Sequence, residues 1–209
     1  MRVLVIGTED MTGEHVVKQL ADRHHNPVAL VGAENKVEEM VKLGARDVVS
    51  LEKRDFSSAF SGCEAVIYLS SASPRTGEGK PILVDHQSVI DSVEAAKKHG
   101  VKRFVLMNTM RAKEMESKNS STNDVKYHSE ELLKQEKLTY TVIRTSMPVD
   151  KPGIGKVEAG PSIVNDKGEI PKEDIASVLV KALDTEEVFN KTFHVTSGEI
   201  LIDEALQRL

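Results

Sequence analysis

The chain of 209 residues holds a single cysteine, no long apolar run and no surplus of positive charge. Each shortage removes a class of protein. Cys63 alone cannot close an intramolecular disulfide, so the chain must hold together through its own packed core, as expected in a reducing cytosol. The apolar run Val3 to Ile6 near the start is far too short to cross a bilayer, and it lacks the cleavage region of a secretory signal. A cytoplasmic protein without a membrane partner is therefore expected. Lys and Arg number 28 against 33 Asp and Glu, a net charge of −5, and no basic stripe breaks the acidic balance. Nucleic acid is accordingly not an expected partner. His15, His24, His25, His86, His99, His128 and His194 show none of the Cys/His spacings of a zinc site, so no metal is expected. Internal repeats and low-complexity tracts are also lacking.

What is present is an ordinary globular balance, 39% hydrophobic and 29% charged, of a length that suits one domain. Strand-length runs rich in Val and Ile occur at Val3–Ile6, Val28–Val31, Val48–Val49, Ala65–Leu69, Phe104–Met107 and Tyr140–Ile143. They lack strict alternation, which suits strands buried on both faces. Helical spacing fills the gaps: Gly13, Val17, Leu20 and Ala21 share one face, and Ile82, Val89, Ile90, Val93 and Ala96 share another. That second helix stops at Lys97-Lys98-His99-Gly100, basic residues followed by glycine. A third is expected from Val125 to Gln135. The alternation predicts an α/β domain with a doubly wound parallel sheet, its ligands at the carboxyl ends of the strands. Residues 1–146 form the core of this single domain, and 147–209 a small C-terminal cap. The glycines and prolines of Met147 to Lys167 make that segment mostly loop, before a helix over Glu173–Leu183 and the closing segments Thr192–Val195 and Leu201–Leu206.

The first strand runs straight into Gly7-Thr8-Glu9-Asp10-Met11-Thr12-Gly13, and a helix follows. Glycines at such a turn permit a tight reversal, close backbone approach to a pyrophosphate, and packing of helix on strand. The amides of the helix N-terminus then face the phosphates. A plain strand–helix turn is the alternative for Gly7 and Gly13. Here the chain resembles the atypical short-chain dehydrogenase/reductases, the small NAD(P)-binding Rossmann proteins related to NmrA and to epimerase/dehydratases. Ala65–Tyr68, the run Ala95–Phe104, Leu138–Arg144 and Glu173–Ala176 carry the same resemblance along nearly the whole chain.

Departures from the family pattern matter more than matches. Where the family places its middle glycine this chain has Asp10, preceded by Glu9. One carboxylate ~5 Å from a phosphate charge, at an effective dielectric of ~20, costs roughly 3 kcal/mol. Carboxylates that point to solvent, or an Asp10 that caps the helix, would weaken binding without abolishing it, so weak binding is the expectation. Relatives that prefer NADP carry an arginine at the end of the second strand, where this chain has Gly32. Glu34 stands 21 residues beyond Gly13, near the spacing of an acid that holds an NAD ribose, though it could equally initiate a helix before Lys36–Leu43. NAD is thus favoured over NADP.

The resemblance also implies a Tyr-x-x-x-Lys pair with an upstream hydroxyl, the phenol exchanging the proton. Thr109 fits the hydroxyl position, beside Asn108, and Ser70-Ser71 follow the fourth strand, either on the nicotinamide side or as a Ser-rich turn. Aligned without gaps, Lys126 takes the lysine position and Thr122 that of the tyrosine. Tyr127 is followed four residues later by Glu131, not by lysine. The polar run Lys113–Asp124 is a substrate-side loop or a solvated excursion, and Cys63 reads as a packing residue. Three functions remain: an NAD(P)-dependent oxidoreductase or epimerase/dehydratase relative acting on a small molecule, a non-catalytic dinucleotide sensor, or a fold relic acting through a protein partner.

Overall fold

Seven of the strands stand parallel in one sheet because each can bury side chains on both of its faces. The computed structural model describes residues 1–70, 81–109, 130–162 and 168–209. In chain order the elements are β1 (Arg2–Ile6), α1 (Met11–Asp22), β2 (Asn26–Val31), α2 (Val37–Lys42), β3 (Asp47–Ser50) and β4 (Ala65–Leu69). There follow α3 (Pro81–Lys98), β5 (Arg103–Thr109), helical residues 130–135, β6 (Thr139–Thr145), β7 (Met147–Val149) and β8 (Lys156–Gly160). The chain closes with β9 (Glu169–Pro171), α4 (Lys172–Ala182), β10 (Lys191–Ser197), β11 (Ile200–Leu201) and α5 (Ile202–Gln207). Strand order in the main sheet is β11-β8-β10-β6-β5-β4-β1-β2-β3, while β7 and β9 form a separate parallel pair.

The period of two along each strand divides the core into two layers. Val3, Val5, Ile67, Val105 and Ile143 meet Val16, Val17 and Leu20 of α1 and Ile175, Val178 and Leu179 of α4. Leu4, Val28, Val66, Phe104 and Val142 face the other way, against Val89, Val93 and Ala96 of α3, Phe60 and Leu133. Helices therefore cover both faces, which is why the strands read as continuous apolar runs. No helix among the described residues is long and apolar enough to cross a membrane.

The C-terminal part does more than cap this sheet. The segment read as mostly loop contributes β7 and β8, and β10 pairs in parallel with β6 while β8 runs antiparallel on β10. Only Val157 in β8 is fully buried, and glycines flank the strand at 155 and 160, so its apolar signal is faint. Buried Asp174, in the first turn of α4, accepts hydrogen bonds from the amides of Ile154 and Gly155, both at 2.9 Å. At the opposite end of α4, buried Arg103 donates to the Ala182 carbonyl at 2.7 Å and stacks over the Phe189 ring at 4.4 Å. A cation suits the negative end of a helix dipole. Burial nevertheless pulls the guanidinium pKa down to about 10.

Where β1 meets α1 the packing leaves no room for a side chain. A Cβ on Gly13 would lie 2.5 Å from the Gly7 carbonyl oxygen and 2.6 Å from Thr8 Cα, both backbone atoms. Gly13→Ala should therefore lower stability by about 1–3 kcal/mol, the usual cost of overpacking. For a chain of this size that is a fall of roughly 2–12 °C in Tm, readable by thermal denaturation followed by circular dichroism.

Candidate functional site

The sheet order places β2 and β4 on opposite sides of β1, so the loops that leave β1 and β4 diverge and open a crevice at their carboxyl ends. Gly7 lies at its floor with φ +94°, and a Cβ there would sit 2.6 Å from the Leu69 carbonyl oxygen at the end of β4. The Thr8 hydroxyl, buried, donates to the Leu30 carbonyl at 2.6 Å and ties the turn to β2. Gly7, Thr8 and Gly13 thus build the bare-backbone corner where α1 points its N-terminus into the crevice.

Two carboxylates occupy that corner. Asp10 is the N-cap of α1: its Oδ1 accepts from the amides of Thr12 at 2.9 Å and Gly13 at 3.2 Å. These are amides that a phosphate at a helix N-terminus would seek. Glu9 turns the other way, and its Oε1 accepts from the Gly32 amide at 3.0 Å, just past β2. Met11 is largely exposed beside them, and the buried Thr12 hydroxyl has no hydrogen-bond partner among the described residues. Glu34 opens a short 3-10 turn, Glu34–Lys36, ahead of α2. Its carboxylate accepts from Lys53 Nζ at 2.9 Å, and that contact holds its pKa below the ordinary carboxylate value. Glu52 receives the Glu34 amide at 3.1 Å.

On the far side of the crevice Ser70 is buried at the end of β4, its amide donating to the Met107 carbonyl at 3.1 Å. Thr109 ends β5 in register with Thr145 of β6. Ser71, Thr122, Lys126, Tyr127 and the run Lys113–Asp124 lie outside the described residues. Next to Thr109 stands a group of which the sequence reading named only Asn108 as a hydrogen-bonding residue. Asn108 Nδ2 donates to Glu130 Oε1 at 2.7 Å, and Arg144 donates to both oxygens of Glu130, at 3.2 and 2.6 Å. Glu130 is 2% exposed, so this is a buried, bidentate ion pair with a third partner. Its signal was an arginine inside the apolar strand β6, where a charge requires a partner. Cys63 is buried, donates to the Ala59 carbonyl and has its pKa raised by burial, as suits a packing thiol. No cluster of three or more His, Cys, Asp and Glu among the described residues could hold a metal ion.

A doubly wound sheet with a glycine corner between β1 and α1 defines a Rossmann-type dinucleotide-binding protein. Residues 7–186 match the NAD(P)H-binding family, and the chain belongs to that family. It is 30% identical over 216 residues to the uncharacterized sugar epimerase YhfK of Bacillus subtilis, covering all of both chains. A solved structure of a candidate NAD-dependent epimerase/dehydratase from Bacillus halodurans superposes with a TM-score of 0.91 at 29% identity, again over all of both chains. The photosystem II assembly factor Ycf39 of Synechocystis is 29% identical over 211 residues, which span 95% of this chain and 63% of that protein.

Truncating Glu130 would leave Arg144 partly buried and without its carboxylate. Glu130→Ala should cost about 3–5 kcal/mol in denaturant unfolding, and the double change Glu130→Leu with Arg144→Met should recover most of the loss. At the other wall, Asp10→Ala should cost about 1 kcal/mol through the lost cap, against a few tenths for Asp10→Gly.

Proposed function

We propose that this chain binds NAD(P), NAD in preference, and acts as a slow oxidoreductase or epimerase-type protein on a small molecule. The observation that carries the reading is the close-packed corner of Gly7 and Gly13 at the mouth of the crevice. At the two glycines only backbone is presented, so a diphosphate can approach the first turn of α1 beside the Asp10 cap, where the Thr12 hydroxyl, without a partner among the described residues, is also placed. Bound NAD(P) would supply or accept the hydride. Gly7, Thr8, Asp10, Met11, Thr12 and Gly13 would surround its diphosphate, with Gly32 and Glu34 toward the adenosine and Ser70 and Ser71 toward the nicotinamide. Thr109 would hold the substrate oxygen and Lys126 the nicotinamide ribose. Thr122, at the tyrosine position, has a hydroxyl that titrates far too high to exchange a proton near neutral pH, so turnover is slow. A single buried thiol fits a reducing cytoplasm.

A second reading is favoured by the Asp10 cap. Its carboxylate must be displaced, or bypassed, before a phosphate gains the Thr12 and Gly13 amides. Weak binding of that kind suits a sensor whose occupancy follows the dinucleotide pool. Action through a protein partner, as for an assembly factor, is compatible with it.

Calorimetric titration with NAD, NADH, NADP and NADPH separates the readings. Asp10→Gly should tighten NAD by about ten- to a hundredfold, the span set by removing one like charge near the phosphates. Unchanged or weaker binding would end the electrostatic argument. Thr122→Tyr should raise residual NAD(P)H oxidation by up to about 10²-fold, and Tyr127→Phe should leave it unaltered. Brisk turnover in the unmodified protein that is lost in Tyr127→Phe would make Tyr127 the proton donor.

A further inference from the structure

Dinucleotide-binding folds read the adenosine ribose at the end of the second strand, usually with an acid borne by that strand. Here the strand ends at Val31, and Gly32, the next residue, has no side chain to offer. Glu34, the nearest acid downstream, is drawn off into the 3-10 turn and bound by Lys53 at 2.9 Å. The carboxylate that does stand at the end of β2 arrives from another element. Glu9 leaves the glycine turn, and its Oε1 rests on the Gly32 amide at 3.0 Å. A Cβ on Gly32 would lie 3.2 Å from that oxygen, so Glu9 sits in close contact with the Gly32 backbone.

We propose that Glu9, not Glu34, is the ribose-reading acid of this chain, accepting hydrogen bonds from the adenosine 2′- and 3′-hydroxyls and excluding a 2′-phosphate. The inference rests on the dinucleotide reading above. An ionised carboxylate offers about four lone-pair sites, so the one bond that Glu9 accepts among the described residues leaves capacity for a diol. The surrounding charge works in the same direction. Lys53 is engaged by Glu34, and Lys36 donates to Glu39 at 2.8 Å. Among the described residues these two ammonium groups are thus held by carboxylates and the Arg54 guanidinium lies 3.9 Å from Asp47, while Glu9 would bring to the ribose a charge of the same sign as a phosphate. A diol gains a charge-assisted bond there; a 2′-phosphate meets repulsion.

The test measures NAD and NADP affinities calorimetrically for the full chain, Glu9→Gln and Glu34→Ala, with thermal melting to confirm that each variant folds. Glu9→Gln should weaken NAD about tenfold, the scale of one hydrogen bond to a charged group, and should leave NADP unchanged or tighter. Glu34→Ala should shift both cofactors equally. Equal effects of Glu9→Gln on NAD and NADP, or a change of preference in Glu34→Ala instead, would overturn the proposal and leave dinucleotide binding intact. Failure of the unmodified protein and of Asp10→Gly to bind either cofactor at millimolar concentration would overturn both readings together.

Discussion

Everything at the mouth of the sheet depends on how closely α1 approaches the turn that precedes it. Gly13 sits in van der Waals contact with the backbone of Gly7 and Thr8, and Gly7 in turn lies against the end of β4. These contacts set the distance between α1 and β1, and with it the position of the first-turn amides. The Thr8 hydroxyl adds a bond to β2, so strands β1, β2 and β4 are joined at one point. A larger side chain at either glycine would separate the elements that shape the crevice.

Such a corner is usually left open for an anion, and this chain fills part of it with its own charges. Asp10 satisfies amides that would otherwise need water or a ligand, which stabilises α1 while opposing phosphate. Local stability and ligand affinity are therefore set against one another in a single residue. Family membership accounts for the frame in which this happens, and Glu9 and Asp10 account for the charge placed on it.

The sequence made the frame legible because strands buried on both faces need uninterrupted runs of Val and Ile, and β1, β2, β4, β5 and β6 have them. Edge strand β8 escaped because one buried valine between glycines carries no period. In the site, the glycine turn was visible from its place between strand and helix, and Asp10 as a cap was one of the readings open to it. Glu9 on Gly32, 23 residues apart, was not visible, since side-chain direction out of a turn follows from backbone angles, not residue type. Glu34 was picked out by its spacing from Gly13, which cannot register the lysine 19 residues away that donates to it. The Glu130–Arg144 pair was hidden for the same reason: its two members come from different elements and meet only in the folded protein.

The two helices on one face of the sheet are joined by more than apolar contact. Gln19 of α1 donates to the Glu173 carbonyl at 3.1 Å and accepts from Ser177 of α4 at 3.0 Å. Asp174, adjacent to Glu173, holds the amides of Ile154 and Gly155. A run of hydrogen bonds therefore connects Gln19, in the second half of α1, to a loop more than 130 positions further along the chain. The first turn of α4 is thereby a shared anchor, bonded on one side to α1 and on the other to the backbone that leads into β8.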